Sequence, residues 1–485
     1  MSKTSELVFV PAPGMGHMPP AVKLAKLILQ RNQHISISIH VINVTCDASK
    51  TNAYVESQLR DNLYPNRLTF VTFPPLSNLP DLSVPLSFVT VIDRHKPLIM
   101  QAVEDRVQAG FPKPVGFVVD MFCCGIMLDI GNVMDVPCYI FLTSMAASLS
   151  FMFYAQSMVD DRGIDVATEF SDPGLSLIVP GFKNPVPSKV IPSAYLDKKF
   201  GCEMLINLGR QFRKMKGILV NTYAELETFA IHALHNSDEK NIPMVYPVGP
   251  IFELEGERRG GSGNEEKESV IRWLDVQPKS SVVFLCFGSC ECFEEEQVKE
   301  IAKGLEKSRN RFLWTLPKPS LAGKPGYNGT FLEALPVGFV DRTRDIGKII
   351  GWAPQVMVLA HPAIGGFVSH CGWHSVLESL WFGVPMASWP ITAEHQLIAF
   401  ELVKELELAV EIRMDYVKDL KAGKGTLLVT AEEIEEGVKN LMNMDDKMKA
   451  RVKKMSDECK KALENGGSSY KWLGCFIKDV LSNAI

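Results

Sequence analysis

Short apolar runs alternate along the chain with longer segments of helical periodicity. The first predicted elements are a strand at residues 7–11, a helix at 19–30, and strands at 35–44, 115–120 and 138–142. A second series consists of a strand at 281–287, a helix at 294–308, and apolar strand-like segments at 311–316, 346–351, 364–369 and 385–389. Strands that alternate with helices are typical of a parallel sheet covered by helices on both faces. The pattern therefore predicts an α/β fold with two doubly wound halves.

The alternation stops near residues 246–250, and residues 253–269 are polar, charged and rich in glycine, as in a linker. A length of 485 residues also suits two domains. We expect an N-terminal domain at 1–248, a linker at 249–270, a C-terminal domain at 271–465 and a final helix within 466–485. Two such halves facing each other would bind a ligand in a cleft between the carboxyl ends of their strands.

The charge and the cysteine content exclude several classes of protein. The chain has 51 basic and 56 acidic residues, a net charge of −5, so we expect no nucleic-acid partner. Its 11 cysteines are scattered without paired CxxC spacing, which predicts no metal site and a reducing, cytoplasmic location. The run Cys290-Glu291-Cys292 comes closest to a cluster, and nothing in the sequence explains it.

One stretch resembles a membrane span by hydropathy. Residues 136–159 contain no charged side chain. They do contain Pro137 and several serines and threonines, and the pattern divides into a short strand followed by a helix. We therefore interpret them as a βα unit of the sheet and expect no integral membrane span.

The segment from Trp352 to His395 has the pattern of an anion-binding turn. A strand at 364–369 leads through His370-Cys371-Gly372-Trp373 into a helix predicted from about Ser375 to residue 382. The N–H groups and positive dipole end of such a helix bind phosphate without a metal, and Gly372 would let the backbone come close. Glu378 lies one turn further on the same helix face and could accept hydrogen bonds from sugar hydroxyls. A nucleotide sugar would suit both features.

The first strand leads into Gly14-Met15-Gly16-His17-Met18-Pro19, which resembles part of a dinucleotide fingerprint. Pro19 replaces its third glycine, and no acidic residue follows at the usual distance. A nicotinamide-dependent oxidoreductase is therefore the weaker interpretation. The chain also has no G-x-x-x-x-G-K-[ST] and no G-x-S-x-G, the usual signatures of phosphate transfer and serine hydrolysis.

A catalytic pair is predicted at the edge of the first sheet. His17 opens a helix, whose positive end disfavours the imidazolium form, so the ring could accept a proton. Asp120 ends another strand of the same sheet and could bond the second ring nitrogen, fixing the tautomer. Helix capping and packing would explain either residue separately, so the pair does not by itself indicate a function.

Several motifs together resemble the plant UDP-dependent glycosyltransferases of small-molecule metabolism. The segment from Trp352 closely matches their signature box in its length, its Trp-Ala-Pro-Gln start and its HCGW core, and the likeness extends to Gly-x-Gly-His at 14–17, Val-Val-Asp at 118–120 and Phe-Gly-Ser at 287–289. The resemblance implies the GT-B fold, two facing Rossmann-like domains. The acceptor would bind mainly to the N-terminal half and the UDP-sugar to the C-terminal half, without metal or cofactor, and the C-terminal helix would pack back on the first domain.

The resemblance also implies roles for individual residues. Trp352 would stack on uracil, the Ala353 backbone would bond its edge with Gln355 nearby, and Glu378 would hold the ribose. The remaining donor contacts fall into two sets: Ser289, His370, His374 and Ser375 around the diphosphate, and Thr143, Trp373, Glu394 and His395 around the sugar. His17, oriented by Asp120, would deprotonate an acceptor hydroxyl that attacks the anomeric carbon opposite UDP, so an α-linked donor would give a β-glycoside.

Two residues depart from the family pattern, and both concern the donor. His374 stands where the family usually has Asn, and His395 where glucose transfer usually has Gln. An imidazole at the last position of the box is associated with galactose or pentose donors, so UDP-galactose or UDP-pentose is the alternative to UDP-glucose, which we place first.

The acceptor is indicated only by apolar stretches such as 121–124 and 145–153, which would suit a flavonoid, another phenolic or a terpenoid. We expect a monomeric hexosyltransferase of plant secondary metabolism. The alternative from another class is a non-catalytic protein that only binds nucleotide sugars.

Overall fold

The structure, a computed structural model, describes residues 4–44, 48–76, 85–236, 241–254, 264–288, 293–317, 333–416 and 427–483. Its strands in chain order are β1 Ser5–Val10, β2 Ile35–Val41, β3 Leu68–Thr72, β4 Pro114–Val119, β5 Cys138–Leu142, β6 Ser176–Leu177, β7 Val186–Pro187, β8 Gly217–Val220, β9 Met244–Pro247, β10 Val282–Cys286, β11 Arg311–Thr315, β12 Gly347–Ile350, β13 Ile364–Ser369, β14 Met386–Ser388 and β15 Ala409–Glu411.

The α-helices in chain order are α1 Met18–Arg31, α2 Ala48–Arg60, α3 Pro85–Arg94, α4 Lys96–Gln108, α5 Cys124–Met134, α6 Ala146–Asp160, α7 Val166–Glu169, α8 Gly201–Phe212, α9 Thr228–His235, α10 Asn264–Asp275, α11 Glu295–Ser308, α12 Phe339–Thr343, α13 Gln355–Leu359, α14 Trp373–Phe382, α15 His395–Phe400, α16 Ala431–Met442, α17 Asp446–Leu463 and α18 Ser468–Ser482. A π-helical turn, Glu401–Glu405, follows α15 directly.

The chain divides into two compact units. The first unit combines Met1–Arg162, Met204–Glu253 and Lys461–Ile485. Its sheet has the strand order β3-β2-β1-β4-β5-β8-β9, with all neighbouring strands parallel. The order reverses between β1 and β4, and ligands of doubly wound sheets bind at such a reversal, beyond the carboxyl ends of the strands.

The second unit combines Gly163–Glu203 with Leu254–Lys460. Its parallel sheet has the order β12-β11-β10-β13-β14-β15, which reverses between β10 and β13. The segment Gly163–Glu203, which precedes the first unit's β8 in the chain, contributes the small antiparallel pair of β6 and β7. The two-sheet α/β architecture predicted from the alternation of elements is thereby confirmed.

Strands such as β5 and β10 form where the sequence has uninterrupted apolar runs, which are typical of parallel sheets buried on both faces. In β1 every residue from Glu6 to Val10 is buried, and β10 is buried throughout. Burial of a full apolar run stabilises by about 1.5–3 kcal/mol per large side chain, which outweighs the weak intrinsic preference of so short a strand. The predicted strand bounds agree with the observed ones to within about three residues.

The C-terminal helix α18 belongs to the first unit. Its Phe476 lies edge-on to Tyr139 of β5 at a centroid distance of 5.2 Å. The Asp479 carboxylate accepts a hydrogen bond from the Tyr139 hydroxyl at 2.7 Å and one from the Tyr246 hydroxyl at 3.3 Å. Apolar packing and these partly buried hydrogen bonds together hold α18 against the strands of the first sheet.

The uncharged stretch at residues 136–159 folds as β5 followed by α6, as predicted. Within the part of the chain that the structure describes, no helix is both long enough and apolar enough to span a membrane.

An unusual buried histidine lies on β2. His40 has no exposed surface, and it packs edge-on to Phe73 at a centroid distance of 5.7 Å. Neither of its ring nitrogens has a hydrogen-bond partner among the described residues. Burial, with a smaller contribution from the Arg106 charge, lowers the pKa of His40 to about 3. The folded state therefore holds this ring neutral.

We expect the free energy of unfolding to fall as the pH is lowered. At pH 7 the ring is neutral in both states, but below its ordinary pKa of 6.5 only the unfolded chain takes up the proton, until the pH approaches 3. His40 alone should cost about 2 kcal/mol of stability at pH 5. Urea unfolding at pH 7 and pH 5 measures this loss.

The variant His40→Phe should lose that part of the pH dependence, whereas His34→Gln, at an exposed position, should keep it. Equal pH dependence in wild type and His40→Phe would contradict the role of His40.

Candidate active site

A histidine and an aspartate meet at the carboxyl edge of the first sheet. β1 and β4 are neighbours in register, with Val10 opposite Val119, so the loops that follow them leave the sheet side by side. The Nδ1 atom of His17 lies 2.8 Å from a carboxylate oxygen of Asp120. The other carboxylate oxygen accepts the backbone N–H of Phe122 at 3.0 Å. Asp120 is thus held on both sides and fixes the orientation of the imidazole.

The surroundings of this pair suit a general base. Asp120 is only 6% exposed, while the His17 side chain is 26% exposed. The Phe122 ring packs edge-on to the imidazole at a centroid distance of 5.8 Å. With the Nδ1 proton donated to the carboxylate, the Nε2 lone pair can accept a proton, and the buried carboxylate stabilises the imidazolium that forms. The sequence prediction that these two residues lie together is therefore matched by the geometry.

Thr143 follows β5, the neighbour of β4 in the same sheet. It is half-buried and lies at the same carboxyl edge as His17 and Asp120. Its strand position explains how a residue distant in sequence joins this edge.

In the second unit an exposed tryptophan follows β12. The Trp352 side chain is 46% exposed, an unusual exposure for an indole of this size. The Nζ atom of Lys267, from α10, lies over this ring at 5.7 Å from its centroid. The adjacent Ala353 is 6% exposed. An indole face available to solvent provides a surface on which a planar base can stack.

Three polar residues of the signature box are connected by hydrogen bonds. The Gln355 Nε2 atom donates to the Ser375 hydroxyl at 2.9 Å and to the Glu378 carboxylate at 2.7 Å. Gln355 begins α13, while Ser375 and Glu378 lie on one face of α14. The structure therefore brings together the residues that, by the family resemblance, are expected to bind the ribose and part of the diphosphate.

The turn between β13 and α14 differs in detail from the sequence prediction. The helix begins at Trp373 rather than near Ser375, because Gly372 is the N-cap residue and Ser375 lies inside the first turn. The N-cap residue, Gly372, has no side chain to cap the helix, and the N-terminus of an α-helix is a favourable place for an anion. The left-handed residue of the turn is Cys371, with φ of 66°. Gly372 itself has φ of −61°.

Glycine is required at position 372 because the neighbouring side chain leaves no space for a Cβ atom, and not because of its backbone conformation. A Cβ atom there would lie 2.4 Å from Nε2 of His370, which is closer than any real contact of this kind. A Cβ on Gly288, which follows β10 with φ of 85°, would lie 3.0 Å from the same nitrogen. The imidazole of His370 thus occupies the space between the two loops at the reversal of the second sheet.

His370 is a buried and neutral residue. Burial, followed by the neighbouring His395, lowers the pKa of His370 to about 3. The two rings lie edge to face at a centroid distance of 5.0 Å. Burial likewise lowers the pKa of His395 to about 4. Both rings can therefore offer neutral hydrogen-bonding groups at pH 7.

The other residues assigned to the sugar and diphosphate have diverse surroundings. Trp373 is 3% exposed, so its indole packs in the core, and its backbone belongs to the first turn of α14. His374 and Glu394 are half-buried. Glu394 is the N-cap of α15 and follows Ala393, whose φ of 55° marks a constrained backbone. Ser289 and the run Cys290-Glu291-Cys292 lie outside the described residues.

Two features of the site were not found by sequence reasoning. Lys267 lies in α10, remote in sequence from Trp352, and no local pattern marks it as a neighbour of that ring. The sequence also does not predict the left-handed conformation of Cys371, because glycine usually adopts it and Gly372 is the adjacent residue. Within the described part of the chain, no group of three or more His, Cys, Asp and Glu residues could hold a metal ion.

Substitution of Gly372 by alanine should weaken donor binding without large changes in the rest of the folded structure. The added methyl group would push His370 or the start of α14 out of place, since the φ of the glycine is itself acceptable to alanine. We expect the Kd for UDP, measured by calorimetry, to rise at least about tenfold, equivalent to about 1.4 kcal/mol.

The matched control is Gly351→Ala, where the nearest atom to the new Cβ would be 3.9 Å away. Unchanged UDP affinity in Gly372→Ala would contradict the proposed role of the turn.

Comparison with known proteins gives consistent matches. A family model described as UDP-glucoronosyl and UDP-glucosyl transferase matches residues 245–456. The chain is 46% identical over 488 residues to UDP-glucose flavonoid 3-O-glucosyltransferase 6 of Fragaria ananassa, covering 99% of both proteins. It is also 46% identical over 482 residues to UDP-glycosyltransferase 71E1 of Stevia rebaudiana, covering 98% of both.

The fold is likewise similar to solved structures. The crystal structure of Medicago truncatula UGT71G1 complexed with UDP-glucose matches with a TM-score of 0.87 and 38% identity, covering 99% of both chains. A ugt transferase from Siraitia grosvenorii in complex with UDP also matches with a TM-score of 0.87, at 39% identity, covering 99% of this chain and 100% of the other. The GT-B class expected from the sequence is thereby confirmed.

Proposed function

Because this chain belongs to the plant family of UDP-dependent glycosyltransferases, we propose that it transfers glucose from UDP-glucose to a hydroxyl group of a flavonoid or related phenolic acceptor. The observation that carries the proposal is the pair of His17 and Asp120, joined at 2.8 Å at the carboxyl edge of the first sheet. A protein that only binds nucleotide sugars would have no use for an oriented and partly exposed imidazole.

In the proposed reaction His17 removes the proton from the acceptor hydroxyl as its oxygen attacks the anomeric carbon. Asp120 keeps the proton on Nδ1 and stabilises the imidazolium, which needs a buried carboxylate in hydrogen-bond contact. The C–O bond to UDP breaks as the new glycosidic bond forms on the opposite face. Inversion follows, and an α-linked donor gives a β-glucoside.

The donor would be held by residues of the second unit. The exposed face of Trp352 suits the uracil ring, and Glu378 suits the ribose diol. The N-terminus of α14, with His374 and Ser375 in its first turn and His370 in the turn before it, would meet the charge that grows on the departing diphosphate. One preorganised donor of this kind can contribute about 3–4 kcal/mol to the transition state. The proposal therefore includes no metal ion.

Glucose is the proposed sugar because a relative at 46% identity is named as a UDP-glucose flavonoid 3-O-glucosyltransferase, and the similar crystal structure from Medicago truncatula is a complex with UDP-glucose. His395, where the family usually has Gln, leaves UDP-galactose and UDP-pentose as the alternatives. We further propose that the protein is a monomer and that it lies in the cytoplasm; the lack of paired cysteine spacing supports the location.

Product analysis tests the proposal directly. Purified protein is incubated with a panel of flavonols, simple phenols and terpenoid alcohols, with UDP-glucose, UDP-galactose and UDP-xylose as parallel donors. We expect β-glucosides of the phenolic acceptors and the fastest turnover with UDP-glucose. A decisive preference for another sugar would overturn the assignment of glucose. If no acceptor gives turnover above that of the His17→Ala variant, the proposal that the protein is an enzyme is overturned.

The nicotinamide alternative is tested by thermal shift. Stabilisation by UDP and not by NAD(P) is expected, since a ligand stabilises only the state that binds it.

A further inference from the structure

A single glutamate joins two distant parts of the second unit. The Glu405 carboxylate accepts the backbone N–H of Lys183 at 2.7 Å and that of Asn184 at 2.9 Å. The Asn184 side-chain amide donates to the same carboxylate at 2.8 Å and to the Lys404 carbonyl at 3.3 Å. The carboxylate thus accepts two consecutive N–H groups and a side-chain amide at the surface of the unit, and such charge-assisted hydrogen bonds are stronger than those between neutral groups. We call this contact the Glu405 clasp.

Apolar packing supports the clasp on its inner side. Phe182, which is 5% exposed, lies 5.9 Å from Phe400 between ring centroids. The short helical turn Ser188–Val190 packs against α15. The segment from Gly163 to Glu203 is thereby anchored on the helix that bears Phe400.

The clasp holds one end of a helix whose other end bears the residues assigned to the donor sugar. Glu394 caps α15 and His395 begins it, and the helix continues without a break into the π-helical turn Glu401–Glu405. At about 1.5 Å per residue this rod is about 16 Å long. The left-handed Ala393 directly precedes this rod, and its last residue, Glu405, makes the clasp.

π-Helical turns are less favourable than α-helical ones and persist where surrounding contacts hold them. The Leu406 N–H bonds back to the Glu401 carbonyl at 2.9 Å, which closes the wider turn. Without the clasp, the turn can relax towards α-helical geometry. Because Glu394 caps α15, His395 begins it and the π-helical turn continues it, a rotation of this helix about its axis would move both residues.

We propose that Glu405 is a positioning residue for donor-sugar selection: by clasping residues 183–184 it fixes the register of α15 and so the places of Glu394 and His395. The inference rests on the proposed function, because it concerns the sugar of a UDP-sugar donor. Misplacement of a contact by about 1 Å can cost up to about 100-fold in rate, so a small shift of α15 suffices. Glu405 itself touches no reacting atom.

The test compares Glu405→Ala, the conservative Glu405→Gln and Asn184→Ala with the control Glu295→Ala, which removes a surface glutamate paired with Lys299. The readouts are kcat/KM for UDP-glucose, UDP-galactose and UDP-xylose with one phenolic acceptor, and the Kd for UDP. For Glu405→Ala we expect the ratio of kcat/KM between the best and second-best sugar to fall at least about fivefold. UDP affinity should stay within about twofold, because uracil, ribose and diphosphate are assigned to other elements.

A merely stabilising role for Glu405 would lower the melting temperature and leave the sugar ratio unchanged. An unchanged ratio in Glu405→Ala, together with wild-type turnover, would overturn the inference and leave the proposed function intact. If Glu405→Ala does not fold, the ratio in Glu405→Gln and Asn184→Ala decides, with a smaller drop expected because each keeps part of the clasp. Absence of turnover in the wild type with every UDP-sugar would overturn both proposals.

Discussion

Replacement of His17 by alanine is expected to reduce kcat by about 10²–10⁴-fold, the usual contribution of a positioned general base. The imidazole is held by the Asp120 carboxylate at 2.8 Å, and its 26% exposed side chain can reach a ligand. Without it, the acceptor hydroxyl must lose its proton to water during attack. Phenolic acceptors of greater acidity should therefore retain more activity in the variant than alcoholic ones.

The measurement is initial-rate kinetics at saturating UDP-glucose, accompanied by the Kd for UDP. His34→Ala, an exposed histidine after α1, serves as the control and should keep full activity. UDP affinity of His17→Ala should match the wild type, because no donor contact is assigned to the imidazole. A loss of activity below about tenfold would show that another group takes the proton.

Asp120→Asn tests the same pair from the other side. The carboxylate accepts from both His17 and the Phe122 N–H, and an amide can turn only one acceptor oxygen to these two donors. The ring would then adopt the wrong tautomer or orientation, a change that costs up to about 10⁴-fold in a comparable triad. The double variant should be little worse than His17→Ala, since the two residues act as one unit.

Replacement of Glu378 by alanine should strongly weaken donor binding. Hydrogen bonds to a charged group contribute about 1.5–3 kcal/mol, so KM for UDP-glucose should rise by about 10–150-fold. In the structure Glu378 accepts from Gln355, whose side chain also reaches Ser375, so removal of the carboxylate also frees that amide to move. The rise in KM should exceed the fall in kcat, because ribose contacts form before the transition state.

Saturation kinetics and calorimetric titration with UDP check this expectation. Glu306→Ala removes a glutamate paired with Arg342 on the surface and should leave KM unchanged. An unchanged Kd for UDP in Glu378→Ala would show that the ribose is bound elsewhere.

Elements buried on both faces were well predicted from the sequence. β5 and β13 have the predicted bounds, since an apolar run between polar turns leaves few alternatives for where a strand begins and ends. The start of α14 was placed two residues late, because Trp373 and His374 do not look like first-turn residues. Helix ends depend on backbone bonds and caps, which single residue types specify weakly.

The candidate site likewise has features that the sequence predicts and features that depend on the packing of the folded chain. His17 and Asp120 could be paired from the sequence, because each follows a predicted strand of one sheet. The bond between Gln355 and Glu378 follows from the packing of α13 beside α14, which no local pattern specifies. The constraint on Gly372 likewise depends on where the His370 ring lies in space.

The sequence by itself determined the α/β class, the strand ends that bear His17 and Asp120, and the box that begins at Trp352, because burial patterns and turn residues are local properties. Only the tertiary structure decided that residues 163–203 pack with the second unit, that Lys267 lies over Trp352, and that Glu405 clasps Lys183 and Asn184. These contacts join residues up to 222 positions apart. Their formation depends on how the whole chain buries its apolar surface, which no short segment encodes.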